Sequence, residues 1–560
     1  MAESIQSLTL LENELLQKVN YLKSFLYEPL YFPKRVEPGL KVPPKTEKDW
    51  SKFSGETLFI NLNLLKDDEL REGIFWRESF LLFTPRQSRD AWWVKLLADV
   101  FPLSIKMSSQ ATAKWIQFIR KSFIAYKELY RLLKRSIAAA GIDGLFQAFN
   151  KVQYFVYSKE QLESHKSRRK RKKREINPHE MQIILTEIYY NSVKITSNAI
   201  EIMQKALLRQ TIKPKIIAQY LTKHLATVSK TIKQLVAMGI LHHNYFVNLS
   251  ALGLTQYITL LFPSKKAHEH LKPPSNPFLT SQKLNRLTNS IITQLYAAPK
   301  SKLFFKYLKA YCEELINQRI VYDYYLFEIK NSKRIYTFKY FNPKERRQIP
   351  DFNTFIIESG LYQNEPSNGS YDALPPDRIV IPSAVFHSKL KKVDFLDLQI
   401  INQFLQGVET YRAIRKAVNK DMNELVKRIK RLFEEKILFE NVLSFLPYSS
   451  SELTVYFEKE KPLKKSDYRT FDQRLVSLFS YLPNVYLATF KGAFEGILAR
   501  TFLTPSTCLE MADFLTTFYP SKLSFQLVLG KPIFQKHKLT LPINRWLNGE
   551  WLYNAEDFSS

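Results

Sequence analysis

The chain has 560 residues, enough for about four domains, and 45% of them are hydrophobic, which excludes a mostly disordered protein. Lys and Arg outnumber Asp and Glu by 83 to 53, and the net charge of +30 favours a polyanionic partner. Nucleic acid is the first candidate, and an anionic membrane surface or an acidic protein are the alternatives. Cys312 and Cys508 form no CxxC pair, which excludes a zinc ribbon or a disulfide framework.

Strands that run into a threonine or asparagine followed by proline, and then into a helix or turn, occur in three parts of the chain. We predict such strands at Glu78–Phe83, Ile335–Phe341 and Ile497–Leu503. Between the first two, residues 108–140 have the aromatic spacing of a long helix. The recurrence predicts three related α+β units, of which the first has no DNA-reading motif beside it.

The segment KSRRKRKKR at 166–174 has eight basic residues in nine. Like charges at this density repel each other and stay solvated, so we predict a linker that also resembles a nuclear localisation signal. Its side chains would make nonspecific phosphate contacts. These are Arg168, Arg169, Lys170, Arg171, Lys172, Lys173 and Arg174.

Residues 197–247 have the pattern of a helix-turn-helix followed by a wing. A first helix is predicted over 198–209, a second begins near Pro214, and a third, ATVSKTIKQLVAM, ends at Gly239. The segment ILHHNYFVNLS then predicts a small hairpin, the wing. The outer face of the third helix suits a DNA groove and its phosphates. It carries Thr227, Ser229, Lys230, Lys233 and Gln234.

Residues 394–446 repeat this pattern. The helices VDFLDLQIINQFLQ, YRAIRKAV and MNELVKRIKRLFEE follow one another, and ILFENVLSFLPY is predicted as the second wing. Thr222 and Asn419 stand where such motifs have a turn glycine. The predicted DNA-contacting residues of the third helix are Asn423, Lys427, Arg428, Lys430 and Arg431.

The segment VNKDMNELVKRIKRLFEEKIL resembles the recognition region of the leucine-responsive and asparagine regulators, the Lrp/AsnC family. LTKHLATVSKTIKQLVAMGIL is similar to the same region. Farther along, Leu482, Pro483 and Val485 fit an LP-x-V pattern of that family. Gly492 and Phe494 fit its turn motif, with Glu495 in place of the usual aspartate. The resemblance implies a ferredoxin-like dimerisation domain whose interface can bind an amino acid, with these last three residues as an effector turn.

We therefore predict an α+β, multidomain protein in which two winged helix-turn-helix domains alternate with ferredoxin-like α+β domains. The predicted boundaries are 1–107 for a divergent α+β domain, 108–175 for a long helix and basic linker, 176–250 for the first winged helix-turn-helix, 251–362 for the second α+β domain, 363–390 for a linker, 391–448 for the second winged helix-turn-helix and 449–560 for the third α+β domain.

The predicted function is a transcription regulator that reads double-stranded DNA, as a homodimer or as a pseudo-dimer within one chain. The alternative is a non-enzymatic scaffold of a nucleoprotein complex whose winged domains bind RNA polymerase or another protein, and RNA binding is a third hypothesis. No Walker loop, GxGxxG, HExxH or GxSxG motif occurs, so neither catalysis, a cofactor nor a metal is predicted. No membrane association is expected, and the predicted location is a prokaryotic cytoplasm or, through the basic run, a nucleus.

Overall fold

The protein combines helices and sheets in the α+β manner that the sequence predicts. The computed structural model describes residues 39–40, 51–54, 57–60, 67–83, 91–105, 107–119, 126–152, 176–264, 274–285, 291–342, 378–383, 389–408, 410–446, 451–458, 478–518, 533–537 and 540–558, together with Gln17 and Asn353. In this described part, no helix has the length and apolar character needed to cross a membrane. The basic run at 166–174 lies outside the described residues.

The chain divides into two compact units. The first comprises Met1–Lys194 with Ala237–Gly239, and the second comprises Ile195–Val236 with Ile240–Ser560. We call them the helical unit and the sheet unit. The residues predicted to contact DNA from the third helix of each helix-turn-helix, and the turn at Gly492, all belong to the sheet unit.

The helical unit is built around aromatic side chains. Trp93, Phe101 and Trp115 are buried at its centre. Three short strands form a small sheet of order β1-β3-β2. The elements are β1 (Gly39–Leu40), β2 (Ser51–Ser54), β3 (Thr57–Ile60), α1 (Asp68–Phe83), α2 (Trp92–Val100), α3 (Ser109–Ile119), α4 (Lys127–Ala140), α5 (142–152) and α6 (Pro178–Ser192).

The strand predicted at Glu78–Phe83 is wrong, because these residues are the last part of α1. Residues 73–81 of this helix are buried without interruption. A helix that is covered on every side has no amphipathic period, so its apolar run cannot be told from a buried strand by pattern. Similarly, the predicted single helix over 108–140 contains two described helices, α3 and α4.

The sheet unit contains two groups of three helices, each followed by a strand. The first group is α7 (Ser197–Arg209), α8 (Pro214–Leu221) and α9 (Leu225–Ala237), followed by β4 (Leu241–Val247). The second group is α11 (Phe395–Leu405), α12 (Tyr411–Val418) and α13 (Met422–Glu434), followed by β10 (Leu438–Ser444). The helices agree with the sequence predictions to within a few residues.

Corresponding residues end the second helix of each group. Thr222 and Asn419 follow α8 and α12 with left-handed φ angles of 51° and 50°. These are the positions where related motifs have glycine, and Asn tolerates this backbone better than Thr does. The third helix of the second group begins with Asp421, whose carboxylate accepts from the backbone N–H groups of Asn423 and Glu424.

The wings are not hairpins, which corrects that prediction. Each is a single strand, and β4 and β10 pair antiparallel with each other over their whole length. At the centre of the pair, Asn244 lies opposite Asn441, and the Asn441 amide donates to Asn244 Oδ1 at 2.7 Å. A strand whose partner lies almost 200 residues away looks locally like half of a hairpin, so the sequence pattern was misleading.

Most of the remaining strands form one antiparallel sheet of order β11-β13-β12-β8-β5-β7-β6-β14, with β9 added to β8, while β15 and β16 pair separately with each other. Four strands of the first half, β8, β5, β7 and β6, lie between strands of the second half, because β12 pairs with β8 and β14 with β6. The elements are β5 (Leu254–Pro263), β6 (Leu279–Asn285), β7 (Ile291–Pro299), α10 (Lys302–Asn317), β8 (Val321–Tyr336), β9 (Ile379–Pro382), β11 (Ser451–Glu458), β12 (Asn484–Gly492), β13 (Gly496–Leu503), α14 (Pro505–Phe518), β14 (Ile533–His537), β15 (Trp546–Leu547) and β16 (Glu550–Trp551). The strand predicted to reach Phe341 ends at Tyr336.

This sheet curls around an interior. Strands β8 and β11 are three positions apart, which in a flat sheet would be about 14 Å. Yet the Phe327 ring of β8 stacks on the Tyr456 ring of β11, with 5.8 Å between centroids and 22° between planes. Lys283 of β6 and Glu452 of β11, near opposite ends of the strand order, are in contact as well. Residues from both halves of the chain therefore share one enclosed space.

Candidate functional site

The interior of the curled sheet is apolar through most of its length. Phe327, Phe490 and Phe494 contact one another there with ring centroids 4.5 to 5.4 Å apart. Tyr456 and Leu498 belong to the same cluster of buried side chains. This part of the interior is a conventional core, and it forms the floor on which a polar layer rests.

Charged side chains from four strands form that polar layer. Lys283 comes from β6, Arg334 from β8, Glu452 from β11 and Arg500 from β13. Lys283 Nζ lies 3.7 Å from Glu452 Oε1. The guanidinium carbons of Arg334 and Arg500 lie 5.9 and 5.2 Å from the ring centroid of Tyr486 on β12. We call these five residues the basic cluster.

The cluster is mostly removed from solvent. The side chain of Lys283 is 16% exposed and that of Glu452 is 11% exposed, while Arg334 as a whole residue is 9% exposed. Among the described residues, one carboxylate faces three cationic groups, which is a surplus of positive charge where water is scarce. Buried charges are costly unless they are paired, and this surplus therefore requires a physical reason.

The surplus charge perturbs the groups that share the space. Burial, followed by the like charge of Arg500, lowers the pKa of Lys283 from 10.5 to about 8, although Glu452 opposes the shift. Burial raises the pKa of the Tyr486 phenol, although its bond to Ser332 and the two arginines favour the phenolate. Tyr486 thus stays neutral at physiological pH, and Lys283 keeps its proton only by a narrow margin.

Two buried polar atoms near this layer stand out in the described part of the chain. Arg500 Nε and Ser281 Oγ have no hydrogen-bond partner among the described residues. By contrast, Arg334 donates to Asn484 Oδ1 at 3.2 Å, and Asn484 in turn donates to the Ser444 carbonyl at 2.7 Å. An unbonded guanidinium nitrogen beside two other cations can donate a hydrogen bond to an anion.

The arrangement can bind a negatively charged group but has no set of metal ligands. Among the described residues, no group of three His, Cys, Asp or Glu side chains could hold a metal ion. Sequence reasoning missed the basic cluster because its members span 283–500 on separate strands, with no local motif. The sequence signal is weak: Arg500 is a charged residue inside the mostly apolar segment GILARTFL, whereas Lys283 lies in the mostly polar segment LTSQKLN.

The predicted DNA-contacting residues of the first three-helix group lie on one helix, α9. Thr227, Lys230, Lys233 and Gln234 are exposed, and Ser229 is half-buried. Their side chains lie on the face opposite to the buried Val228, Ile232 and Leu235, as the helical spacing predicts.

The second group differs, because two of its basic residues form ion pairs with carboxylates of the same group. Arg428 contacts Asp394 at 2.7 Å, Asp397 at 3.1 Å and Glu424 at 3.1 Å. Arg431 also pairs with Asp397, a carboxylate that is fully buried. These two arginines join α13 to the start of α11, and their contact with a DNA phosphate stays a prediction. On the same helix, Asn423, Lys427 and Lys430 are exposed.

The predicted effector turn joins β12 and β13 at the apolar end of the interior. Phe494 packs on Tyr325 and Phe327 with centroids 5.6 and 4.9 Å away. Glu495 pairs with Lys491 at 3.1 Å near the surface. Gly492 is needed because a Cβ there would lie 2.0 Å from the Leu326 carbonyl oxygen. An effector contact at this turn stays a prediction.

No family model and no curated protein matches this chain. Two solved structures are similar to it: the siroheme decarboxylase NirDL in co-complex with an iron-uroporphyrin III analogue, with a TM-score of 0.37, and NirDL alone, with 0.36. The sequence identity is 13% in each case, and each match covers 62% of this chain and 97% of the neighbour's chain.

These findings correct three predictions made from the sequence. Both neighbours are an enzyme by name, not a DNA-binding regulator, and one holds an iron-uroporphyrin III analogue. The predicted transcription regulator, its non-enzymatic character, and duplex DNA and RNA polymerase as partners are therefore contradicted.

Proposed function

We propose that the sheet unit is a covalent pseudo-dimer of two Lrp/AsnC-like halves, each a winged helix-turn-helix followed by a ferredoxin-like α+β domain. The repeated order of three helices, a strand and a sheet supports this proposal. So does the pairing of β4 with β10 and of β12 with β8, which joins the halves as two subunits would be joined. We retain 176–250, 251–362, 391–448 and 449–560 as the proposed domains, with 363–390 as their linker. The domain at 1–107 and the segment at 108–175 also stay proposals.

We further propose that the function of this pseudo-dimer is to bind a small molecule with at least two negative charges at the basic cluster. The observation that carries the proposal is the surplus of positive charge inside the sheet, with Arg500 Nε unbonded among the described residues. A dianion would compensate the positive charge and accept a hydrogen bond from Arg500 Nε. The Tyr486 ring would cover the apolar body of the ligand. The mouth of a curled sheet is a frequent place for such a ligand.

The test is isothermal titration of the full chain with three probes. Citrate presents carboxylates, pyrophosphate presents phosphates, and uroporphyrin III presents carboxylates on a large planar body. Arg500→Gln should weaken binding of the preferred probe by about tenfold or more, because it removes a charge-assisted hydrogen bond. The matched control is Arg209→Gln, since Arg209 lies over the Tyr220 ring on the surface of the three-helix group.

Either of two results would refute the proposal. One is the absence of binding by all three probes at millimolar concentration. The other is equal binding by the wild type, Arg500→Gln and Arg209→Gln. Preference for citrate or uroporphyrin III over pyrophosphate would identify the natural ligand as a carboxylate, and the reverse order would identify a phosphate.

A further inference from the structure

A cavity of about 330 Å³ lies where the two three-helix groups meet at the β4–β10 pair. We call it the joint pocket. Its volume is in the range of small-molecule sites in proteins. It is lined by Thr211, Ile212, Lys213, His243, Tyr245, Phe404, Tyr411, Phe433 and Glu440. The first five of these residues belong to one half of the sheet unit and the other four to the other half, so a bound molecule would bridge the halves.

Aromatic rings form the floor of the joint pocket. Tyr245 and Phe404 lie with centroids 4.6 Å apart, and Phe433 lies 6.1 Å from Tyr245 and 5.8 Å from Phe404. The planes of these three rings are inclined at 59° to 87° to one another, so both faces and edges are presented. Tyr411 completes the lining and is 44% exposed. Ring faces attract cations as well as apolar groups.

One carboxylate stands among these rings. Glu440 lies directly opposite Tyr245 in the strand pair, and its side chain is 24% exposed. The nearby His243 imidazole and the Lys213 ammonium lower the pKa of Glu440 to about 2, although burial opposes them. Glu440 is therefore a permanent negative charge at physiological pH. It provides a fixed anionic group beside an apolar surface.

The ammonium of Lys213 already contacts the Glu440 carboxylate, and the exposed lysine side chain is only weakly held there. Lys213 Nζ lies 2.8 Å from Glu440 Oε1, yet the Lys213 side chain is 63% exposed. An exposed ion pair of this kind contributes little, and a long flexible side chain leaves it easily. His243 Nε2 is farther away, at 3.8 Å from Glu440 Oε2. The Lys213 ammonium thus marks the position that a ligand's ammonium would take.

We propose that the joint pocket binds a small organic amine, with the ammonium on Glu440 and an apolar or aromatic body against Tyr245, Phe404 and Phe433. Lys213 occupies the cation position in the absence of the amine and is displaced by it. This inference is independent of the anion proposed for the basic cluster, because the two sites share no residue.

The experiment is calorimetric titration of the full chain with tryptamine and phenethylamine. Tryptophol and indole-3-propionic acid serve as neutral and anionic analogues of tryptamine. Glu440→Gln should weaken amine binding about tenfold or more, because the charged acceptor is lost. Lys213→Met should strengthen it about twofold to fivefold, because the amine no longer competes with an ion pair. The matched control is Lys215→Met, an exposed lysine two residues along the chain that does not line the pocket and should leave the affinity unchanged.

The Lys213→Met variant distinguishes loss of the ion pair from general damage to the fold, because such damage would weaken amine binding rather than strengthen it. The proposal is overturned if neither amine binds at millimolar concentration, or if tryptophol binds as tightly as tryptamine. It is also overturned if Lys213→Met weakens amine binding or leaves it unchanged. Preferential binding of indole-3-propionic acid would show that Lys213 and His243, and not Glu440, recognise the ligand.

Discussion

The lowered pKa of Lys283 predicts an unusual dependence of stability on pH. In the folded chain this lysine titrates at about 8, compared with 10.5 for a solvated lysine. Between these values the unfolded chain binds a proton that the folded chain does not. Stability therefore rises with pH in this window, because the cost of a buried ammonium next to Arg500 is removed. Below about pH 8 that cost is present in full.

The size of the effect follows from the shift. Raising the pH from about 7 to about 10.5 should stabilise the wild type by about 3 kcal/mol relative to Lys283→Met, which cannot titrate. The comparison with Lys283→Met is needed because buried tyrosines such as Tyr486 also change the free energy of unfolding at high pH. They do so in both proteins, so their effect cancels in the difference. Lys306→Met, at an exposed position of α10, is the control and should follow the wild type.

The two cysteines supply the assay. Cys312 and Cys508 are the only cysteines of the chain, and both are buried in the sheet unit. Pulsed thiol labelling in guanidinium therefore reports the unfolding of this unit and not of the helical unit. The measured quantity is the change in the free energy of unfolding between about pH 7 and about pH 10.5. If this change differs by less than about 1 kcal/mol between the wild type and Lys283→Met, Lys283 is not desolvated and the reasoning fails.

Three further predictions concern packing in the sheet unit, and pulsed thiol labelling measures each of them. Gly496→Ala should destabilise by more than about 2 kcal/mol, since its Cβ would lie 1.8 Å from the Phe457 carbonyl oxygen. A loss below about 0.5 kcal/mol would show that the strands can separate there. Phe404→Ala, at a position 2% exposed, should cost about 3 to 5 kcal/mol, and a loss under about 1 kcal/mol would contradict its core position. Asn244→Ala should cost more than Asn441→Ala, because it leaves a buried amide without its acceptor; the opposite order would refute this.

Much of the local structure could be predicted from the sequence. The helices of the three-helix groups were located by apolar spacing, and the turns at Thr222 and Asn419 were placed correctly. These features depend on contacts within a few residues, so a short window of sequence contains the information. The strand at Gly496–Leu503 and the helix that begins at Pro505 were predicted for the same reason.

The features that the sequence did not predict depend on contacts between distant parts of the chain. Residues 73–81 of the helix at Asp68–Phe83 are buried without interruption, and burial of that kind removes the period by which a helix is recognised. The ion pairs of Arg428 and Arg431 depend on Asp397, which lies more than thirty residues earlier in the chain. A basic residue on a helix looks the same in the sequence whether it meets a phosphate or a carboxylate.

The sequence by itself determined the α+β composition, the repeated three-helix groups and the excess of positive charge. Only the tertiary structure decided how β4 and β10 pair and how the sheet curls. It therefore also decided that Lys283 and Arg500, more than 200 residues apart, share one buried space. The physical reason is that helix periodicity is a local property, whereas strand pairing joins distant segments by backbone hydrogen bonds that any residue can make. Both candidate sites lie at such pairings, so neither could be recognised before the strands were brought together.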